Sequence, residues 1–214
     1  MIIIGGTGKI GSHLVRHFSA RESIIFTFYS NKEFARQLSE QTGARSLKID
    51  FESLDPQVLS GLNPEVHRTA VFSAGIFMKG SVPGFYEIEK GIRTNLTGVV
   101  QLAFYLADRG IKNIVLITDV SGLIPYRDHP VNSIAAAGQI MLVKTLSKIF
   151  APRVLANAIA INAISAPFPG YTEKLPMKRL PEIDEIIRLV EFLAYENTYM
   201  TGEVLKLDGG RSLI

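Results

Sequence analysis

Short apolar runs alternate with amphipathic stretches along the whole 214-residue chain, and that alternation leaves very few architectures open. The runs are Met1–Ile4, Ser23–Tyr29, Ser46–Ile49, Thr69–Phe72, Asn113–Ile117, Val154–Ala160 and Glu203–Leu207. Several are continuously apolar, with none of the every-other-residue polarity of a half-exposed strand. Parallel strands covered on both faces have that character. Between the runs, Ile10–Ala20, Lys32–Gln41, Val82–Leu106 (with breaks), Ser133–Phe150 and Glu182–Tyr195 read as helices. In Ser133–Phe150, Leu142, Leu146 and Ile149 share one face, and Pro152 stops the helix. Strands alternating with helices of roughly 10–15 residues build βαβ units. The expected fold is therefore α/β, a doubly wound parallel sheet of seven strands with helices on both faces.

Composition narrows the class. Hydrophobic residues make up 47% of the chain, and a single globule of this length buries about 70% of its unfolded surface. No linker or repeat divides the sequence, so one Rossmann-type domain over residues 1–214 is expected. Cysteine is absent, which excludes disulfides, thiolate metal sites and a cysteine nucleophile. The net charge of +3 comes from scattered lysines and arginines. Without a clustered basic stripe, no nucleic-acid partner is expected. No apolar run reaches the ~18 residues of a membrane span, and Met1–Ile4 runs straight into glycines, unlike a leader segment. A cytoplasmic protein with no membrane partner is the expectation.

The first strand ends in Gly5-Gly6-Thr7-Gly8-Lys9-Ile10-Gly11, and a helix follows. Gly5, Gly8 and Gly11 form G-x-x-G-x-x-G. Such a loop turns sharply, lets backbone approach a pyrophosphate without Cβ interference, and offers helix N-terminal amides to the anion. Its place between a strand and a helix favours dinucleotide binding, with Thr7, Lys9 and Ile10 among the contacts, over a tight turn that holds nothing. The second strand ends in Phe28-Tyr29-Ser30-Asn31-Lys32. NAD-binding sheets usually carry an acidic residue there for the ribose 2′-hydroxyl. This chain has none, and Ser30, Asn31 and Lys32 suit a 2′-phosphate, with Lys9 placed to help from the loop. NADP is the expected cofactor. Ser30 and Asn31 could equally cap the helix that begins at Lys32.

At this point the sequence resembles the short-chain dehydrogenase/reductase family, in particular its ketoacyl-carrier-protein reductase branch. The resemblance spans the chain through the glycine loop, Asp50, Phe72-Ser73-Ala74-Gly75, Asn95-Leu96-Thr97-Gly98, the stretch Ile114–Gly122 and the closing Thr201–Gly210. It implies that Asp50 and Phe51 face the adenine, that Ser73, Ala74 and Gly75 pass beneath the adenosine ribose, and that Ile117 lines the nicotinamide side.

The family reduces a carbonyl with a Tyr that donates the proton, a Lys that lowers its pKa, a Ser that positions the carbonyl and an Asn that holds a relay water. Aligned on Gly122, the serine position is Asp119. Aligned on Ala137-Gly138, the tyrosine and lysine positions are Asn132 and Ala136. Only Asn95 remains. An amide cannot serve as a general acid near neutral pH, and an ionised Asp119 would repel the oxyanion that hydride addition creates. The segment after the sixth strand, where relatives carry a long lid, is short: only Tyr171–Leu180 separate Gly170 from the helix prefaced by Pro181.

The resemblance thus implies a non-catalytic family member, a subunit or scaffold that pairs with itself or with an active relative. The alternative is an NADP-dependent oxidoreductase of the carbonyl reductase or alcohol dehydrogenase type with relocated groups, for which Asp119, Tyr126 and His129 are the candidates. His13 and His17 stand one turn apart, but a metal site would need a third ligand, so no metal is expected. Relatives pair through helices corresponding to Asn95–Leu106 and Ser133–Phe150. The apolar Val99, Val100, Leu102, Phe104, Tyr105, Met141, Leu142 and Phe150 there suit either a homo- or hetero-oligomer interface or the core.

Overall fold

A computed structural model describes all residues 1–214. Seven strands, β1 (Ile2–Ile4), β2 (Ile25–Phe28), β3 (Arg45–Lys48), β4 (Thr69–Phe72), β5 (Asn113–Asp119), β6 (Leu155–Ile161) and β7 (Val204–Leu207), pair in parallel in the order β3-β2-β1-β4-β5-β6-β7. The order reverses between β1 and β4, where ligands of open α/β sheets bind beyond the carboxyl ends of the strands.

Alternation along each strand divides the core. Ile2, Ile4, Ile114, Leu116, Ala156 and Ala158 face one layer, with α3 (Pro56–Ser60), α5 (Gly98–Asp108) and α6 (Pro130–Phe150). Met1, Ile3, Val115 and Ile159 face the other, with α1 (Lys9–Ser19), α2 (Lys32–Thr42) and α7 (Ile183–Glu191). Both strand faces are therefore dry, which is why the runs read as continuously apolar.

Local chemistry sets the boundaries. Asn31 caps α2 by accepting from the Phe34 N–H, and Asp55 caps α3 ahead of Pro56. Glu182 and Glu185 form a reciprocal capping box on α7. The broken helix expected over Val82–Leu106 is α4 (Phe85–Ile92), a π-helical turn (Arg93–Thr97) and α5. Single π turns of this kind frequently occur at functional sites, and this one carries Asn95.

Two sequence expectations shift. The short α3 has no periodic apolar signature and went unforeseen. Most of the apolar residues considered for an interface belong to the core: Val99, Leu102, Leu142 and Phe150 are buried, and Val100, Phe104 and Tyr105 pack against them. On these helices and the neighbouring α4, the exposed large apolar side chains are Ile134, Met141 and Ile149 of α6 and Phe85, Tyr86 and Ile88 of α4.

Candidate functional site

The glycine loop is gripped from both sides. The Gly5 N–H donates to Thr27 Oγ1 at 3.0 Å, and the Gly6 N–H donates to the Thr27 carbonyl at 2.8 Å. Gly5 has φ +85, and a Cβ there would meet Ala74 Cα at 2.6 Å, so the loop abuts the turn after β4. A Cβ on Gly11 would lie 2.2 Å from the Gly5 carbonyl oxygen. Gly8 differs, since its Cβ would meet only Gly5 O at 3.2 Å and Ser73 O at 4.0 Å. It also caps α1 without a side-chain bond, and the first turn holds no acid. The amides at this end are therefore open to an anion.

Beside the loop, Phe28, Tyr29, Ser30, Lys32, Lys48 and Asp50 line a recess of about 450 Å³. Two ammonium groups against one carboxylate make it suitable for a phosphate monoester on a nucleoside. Lys48 was missed from sequence. It lies at the end of β3, and only the pairing of Phe28 with Lys48 brings it beside Ser30. Three other expected contacts have different surroundings. The Lys9 ammonium bonds the Ile164 carbonyl at 3.0 Å and Ser165 Oγ at 2.7 Å, which fastens the glycine loop to the segment after β6. Asn31 acts as the α2 cap. Phe51 packs on Gly98 and joins the core beneath the site, while Asp50 turns one oxygen to the Glu52 N–H at 2.8 Å.

Ser73 lies at the carboxyl end of β4, with both its N–H and Oγ–H donating to the Ile4 carbonyl. Gly75 is followed by Ile76, whose backbone Asn95 clamps from both sides. Asn95 Oδ1 accepts from the Ile76 N–H at 2.8 Å and Nδ2 donates to its carbonyl at 2.7 Å. Gln139 Nε2 reaches the Asn95 carbonyl at 2.5 Å. Ile117 is half-buried on β5.

The three positions that the resemblance matches to catalytic residues are each engaged in structure. Asn132 Oδ1 accepts from the Met78 N–H at 3.0 Å and ties the loop after β4 to α6. Two further ties run alongside, the Gly80 N–H to the Asp128 carbonyl at 3.1 Å and the Phe77 ring against His129 at 4.4 Å. Ala136 is 4% exposed, and the turn Val120–Gly122 presses on it so closely that a Cβ on Gly122 would meet its carbonyl carbon at 2.6 Å. Asp119 caps that turn, accepting from the Ser121 N–H at 2.6 Å.

The relocated groups do not assemble into an acid–base relay. Asp119 and His129 share no hydrogen bond; the Asp119 carboxylate bonds Ser121 and the His129 carbonyl accepts from Ser133. Tyr126 stands within reach of the Asp119 field, and burial pushes its phenol up to about 12. His13 bonds the Lys9 carbonyl and His17 pairs with Glu191 at 2.9 Å, so the two histidines diverge. The stub Tyr171–Leu180 contains one turn (Thr172–Lys174) and is pinned through buried Tyr171 and Leu175.

Comparison with known proteins agrees with this geometry. The model of the NAD dependent epimerase/dehydratase family matches residues 1–121. The acetoacetyl-CoA reductase of Rhizobium meliloti (strain 1021) is 28% identical over a 243-residue alignment that spans 98% of this chain and 97% of that protein. The 3-oxoacyl-acyl-carrier-protein reductase FabG of Salmonella typhimurium (strain LT2) is 25% identical over 240 residues, 100% of this chain and 97% of its own. Among solved structures, FolM alternative dihydrofolate reductase 1 from Brucella suis in complex with NADP has a TM-score of 0.88 at 22% identity, covering 100% and 95% of the two chains. BdcA in complex with NADPH has a TM-score of 0.86 at 21% identity, covering 97% and 92%. With its glycine loop, its strand order and its ordered motifs, the chain belongs to the short-chain dehydrogenase/reductase family as a ketoacyl-reductase-like member.

Proposed function

We propose that this chain is an NADP-binding family member that has lost carbonyl chemistry and works as a non-catalytic subunit, paired with itself or with an active relative. The observation that carries the reading is the use made of Asn132. Its side-chain oxygen is committed to the Met78 N–H, in the place where relatives hold the proton-donating phenol, and a buried methyl at Ala136 occupies the lysine position.

The residues present fit the nucleotide. The open amides of α1 and the bare face of Gly8 suit the pyrophosphate. Lys32, Lys48 and Ser30 suit a 2′-phosphate, and Asp50 offers an acceptor on the same recess. NADPH, when bound, supplies a hydride. The chain itself offers no proton beside it: an amide oxygen donates nothing, and the Asp119 carboxylate opposes a developing alkoxide.

Pairing is supported by the exposed Ile134, Met141 and Ile149 of α6 and Phe85, Tyr86 and Ile88 of α4, because large apolar side chains left to solvent on neighbouring helices are suited to association. A titration of NADPH followed by fluorescence, run beside a ketone-reduction assay and light scattering, tests the reading. Binding without turnover, on a species larger than one chain, is expected. Ketone reduction at ordinary enzymatic rates would overturn it.

A further inference from the structure

Beyond the carboxyl end of β6, residues 163–170 form no helix or strand, and from Ser165 to Gly170 every residue is exposed. Few hydrogen bonds reach this stretch. One is local, from the Tyr171 N–H to the Phe168 carbonyl at 3.3 Å. The only two that come from elsewhere in the chain are both given by the Lys9 ammonium, to the Ile164 carbonyl at 3.0 Å and to Ser165 Oγ at 2.7 Å. Packing adds little. Ile164 leans on the layer that holds Ile3 and Ile159, and the Phe168 ring meets Tyr171 and the Lys174 ammonium. A segment with so few buried contacts opens locally at low cost in free energy.

The other end of the link is firmly held. Lys9 is the first residue of α1, directly after Gly8, and its carbonyl is bonded by His13 Nδ1 at 2.7 Å. The loop behind it is fixed through the Thr27 bonds to Gly5 and Gly6. Both partners of the ammonium are neutral oxygens, and an ammonium has three donors. A positive charge and one N–H therefore remain for an anion seated on the α1 amides. Holding a lysine side chain in one geometry costs rotamer entropy. A ligand that restrains Lys9 removes part of that cost, and the bonds to residues 164 and 165 then form more readily.

We propose that Lys9 is the residue through which a nucleotide on the glycine loop orders residues 163–170, so that the surface after β6 changes with occupancy of the nucleotide site. The inference rests on the NADP-binding reading and deepens it: a chain that binds the nucleotide without turning it over still converts occupancy into a change of shape. Linkage makes the effect reciprocal, so loosening the segment weakens the nucleotide. Ser165 is the positioning residue on the far side, since its hydroxyl takes the shorter of the two bonds.

The test is hydrogen exchange of the whole chain, without NADPH and with NADPH at a concentration that fluorescence titration shows to be saturating. The amides of residues 163–170 should exchange about fivefold more slowly with NADPH bound. The slowing should vanish in Lys9→Met and persist in Lys9→Arg, which keeps the charge and the donors. In Ser165→Ala it should fall by about half, with a small loss of NADPH affinity. If Lys9→Met binds NADPH too weakly to saturate, Ser165→Ala carries the comparison. Bound NADPH with unchanged exchange at these amides, or slowing of wild-type size in Lys9→Met or Ser165→Ala, overturns the coupling and leaves the nucleotide reading standing. No binding of NADPH to the wild-type chain overturns the nucleotide reading, and the coupling with it.

Discussion

The side-chain oxygen of Asn132 accepts a 3.0 Å hydrogen bond from the Met78 N–H, so the residue that the resemblance matches to the family's proton donor fastens a loop. Replacing Asn132 with Ala removes one neutral hydrogen bond and should cost about 1 kcal/mol. The loop from Ser73 to Gly84 should loosen with it. Hydrogen exchange at the Met78 amide reads this directly, and a rate equal to wild type would show that the bond has no role.

Restoring the family residues at two positions should not restore chemistry. In Asn132→Tyr with Ala136→Lys, the lysine must enter space already filled, because Ala136 is buried under the Val120–Gly122 turn. Overpacking of this sort costs about 1–3 kcal/mol. The double variant should melt below wild type and still fail to reduce ketones, with Asp119 opposing the alkoxide. Recovered turnover would show that the rest of the machinery had survived.

The sheet, its parallel sense and its seven strands were legible from the sequence because both-face burial writes itself as unbroken apolar runs. The glycine loop was legible for a similar local reason: Gly5 is demanded by its φ of +85 and Gly11 by a backbone contact within the loop itself. The parts that were not legible depend on side chains meeting across the sheet. Lys48 joins the recess through its pairing with Phe28. Lys9 is drawn to Ser165, a residue 156 positions away. Arg211, in the turn after β7, comes over the Tyr126 ring after β5 only in the folded sheet, and no local pattern announces that. The interface expectation suffered from the same limit, since periodicity cannot say whether Leu102 or Met141 faces the sheet.

The glycines should separate folding from binding. A methyl on Gly11 would collide with the Gly5 carbonyl oxygen at 2.2 Å, backbone against backbone, so Gly11→Ala should destabilise the chain by more than about 2 kcal/mol. A methyl on Gly8 meets closely only one oxygen, at 3.2 Å, and on the proposed reading it would enter the space of the pyrophosphate. Gly8→Ala should fold and lose nucleotide. Melting curves and NADPH titrations on the two variants check both halves, and equal behaviour would remove the anion role from Gly8.

Lys32 and Lys48 line the recess with Asp50 as its only carboxylate. On the proposed NADP reading each lysine would give a charge-assisted contact to the 2′-phosphate, worth about tenfold in affinity. Lys48→Ala and Lys32→Ala should therefore weaken NADPH and leave NADH nearly unchanged, and the double variant should abolish the preference. A parallel loss for both nucleotides would mean that the lysines shape the fold rather than read the phosphate.

Arg179 forks onto Glu185, Nη1 to Oε2 at 2.8 Å and Nη2 to Oε1 at 2.7 Å, and the same carboxylate accepts from the Glu182 N–H at 2.8 Å. The arginine first, and the backbone bond after it, hold the Glu185 carboxyl down at about 2, below its ordinary 4.5. A depressed folded-state value means that the unfolded chain takes up the proton more readily. The contribution is therefore complete above pH 4.5 and fades as the pH falls toward 2. Because the pair faces solvent, its size is modest and salt weakens it. Glu185→Gln should lower the melting temperature at neutral pH, and the gap to wild type should close steadily between pH 4.5 and 2. A gap that stays constant across that window would show that the α7 capping box acts through geometry alone.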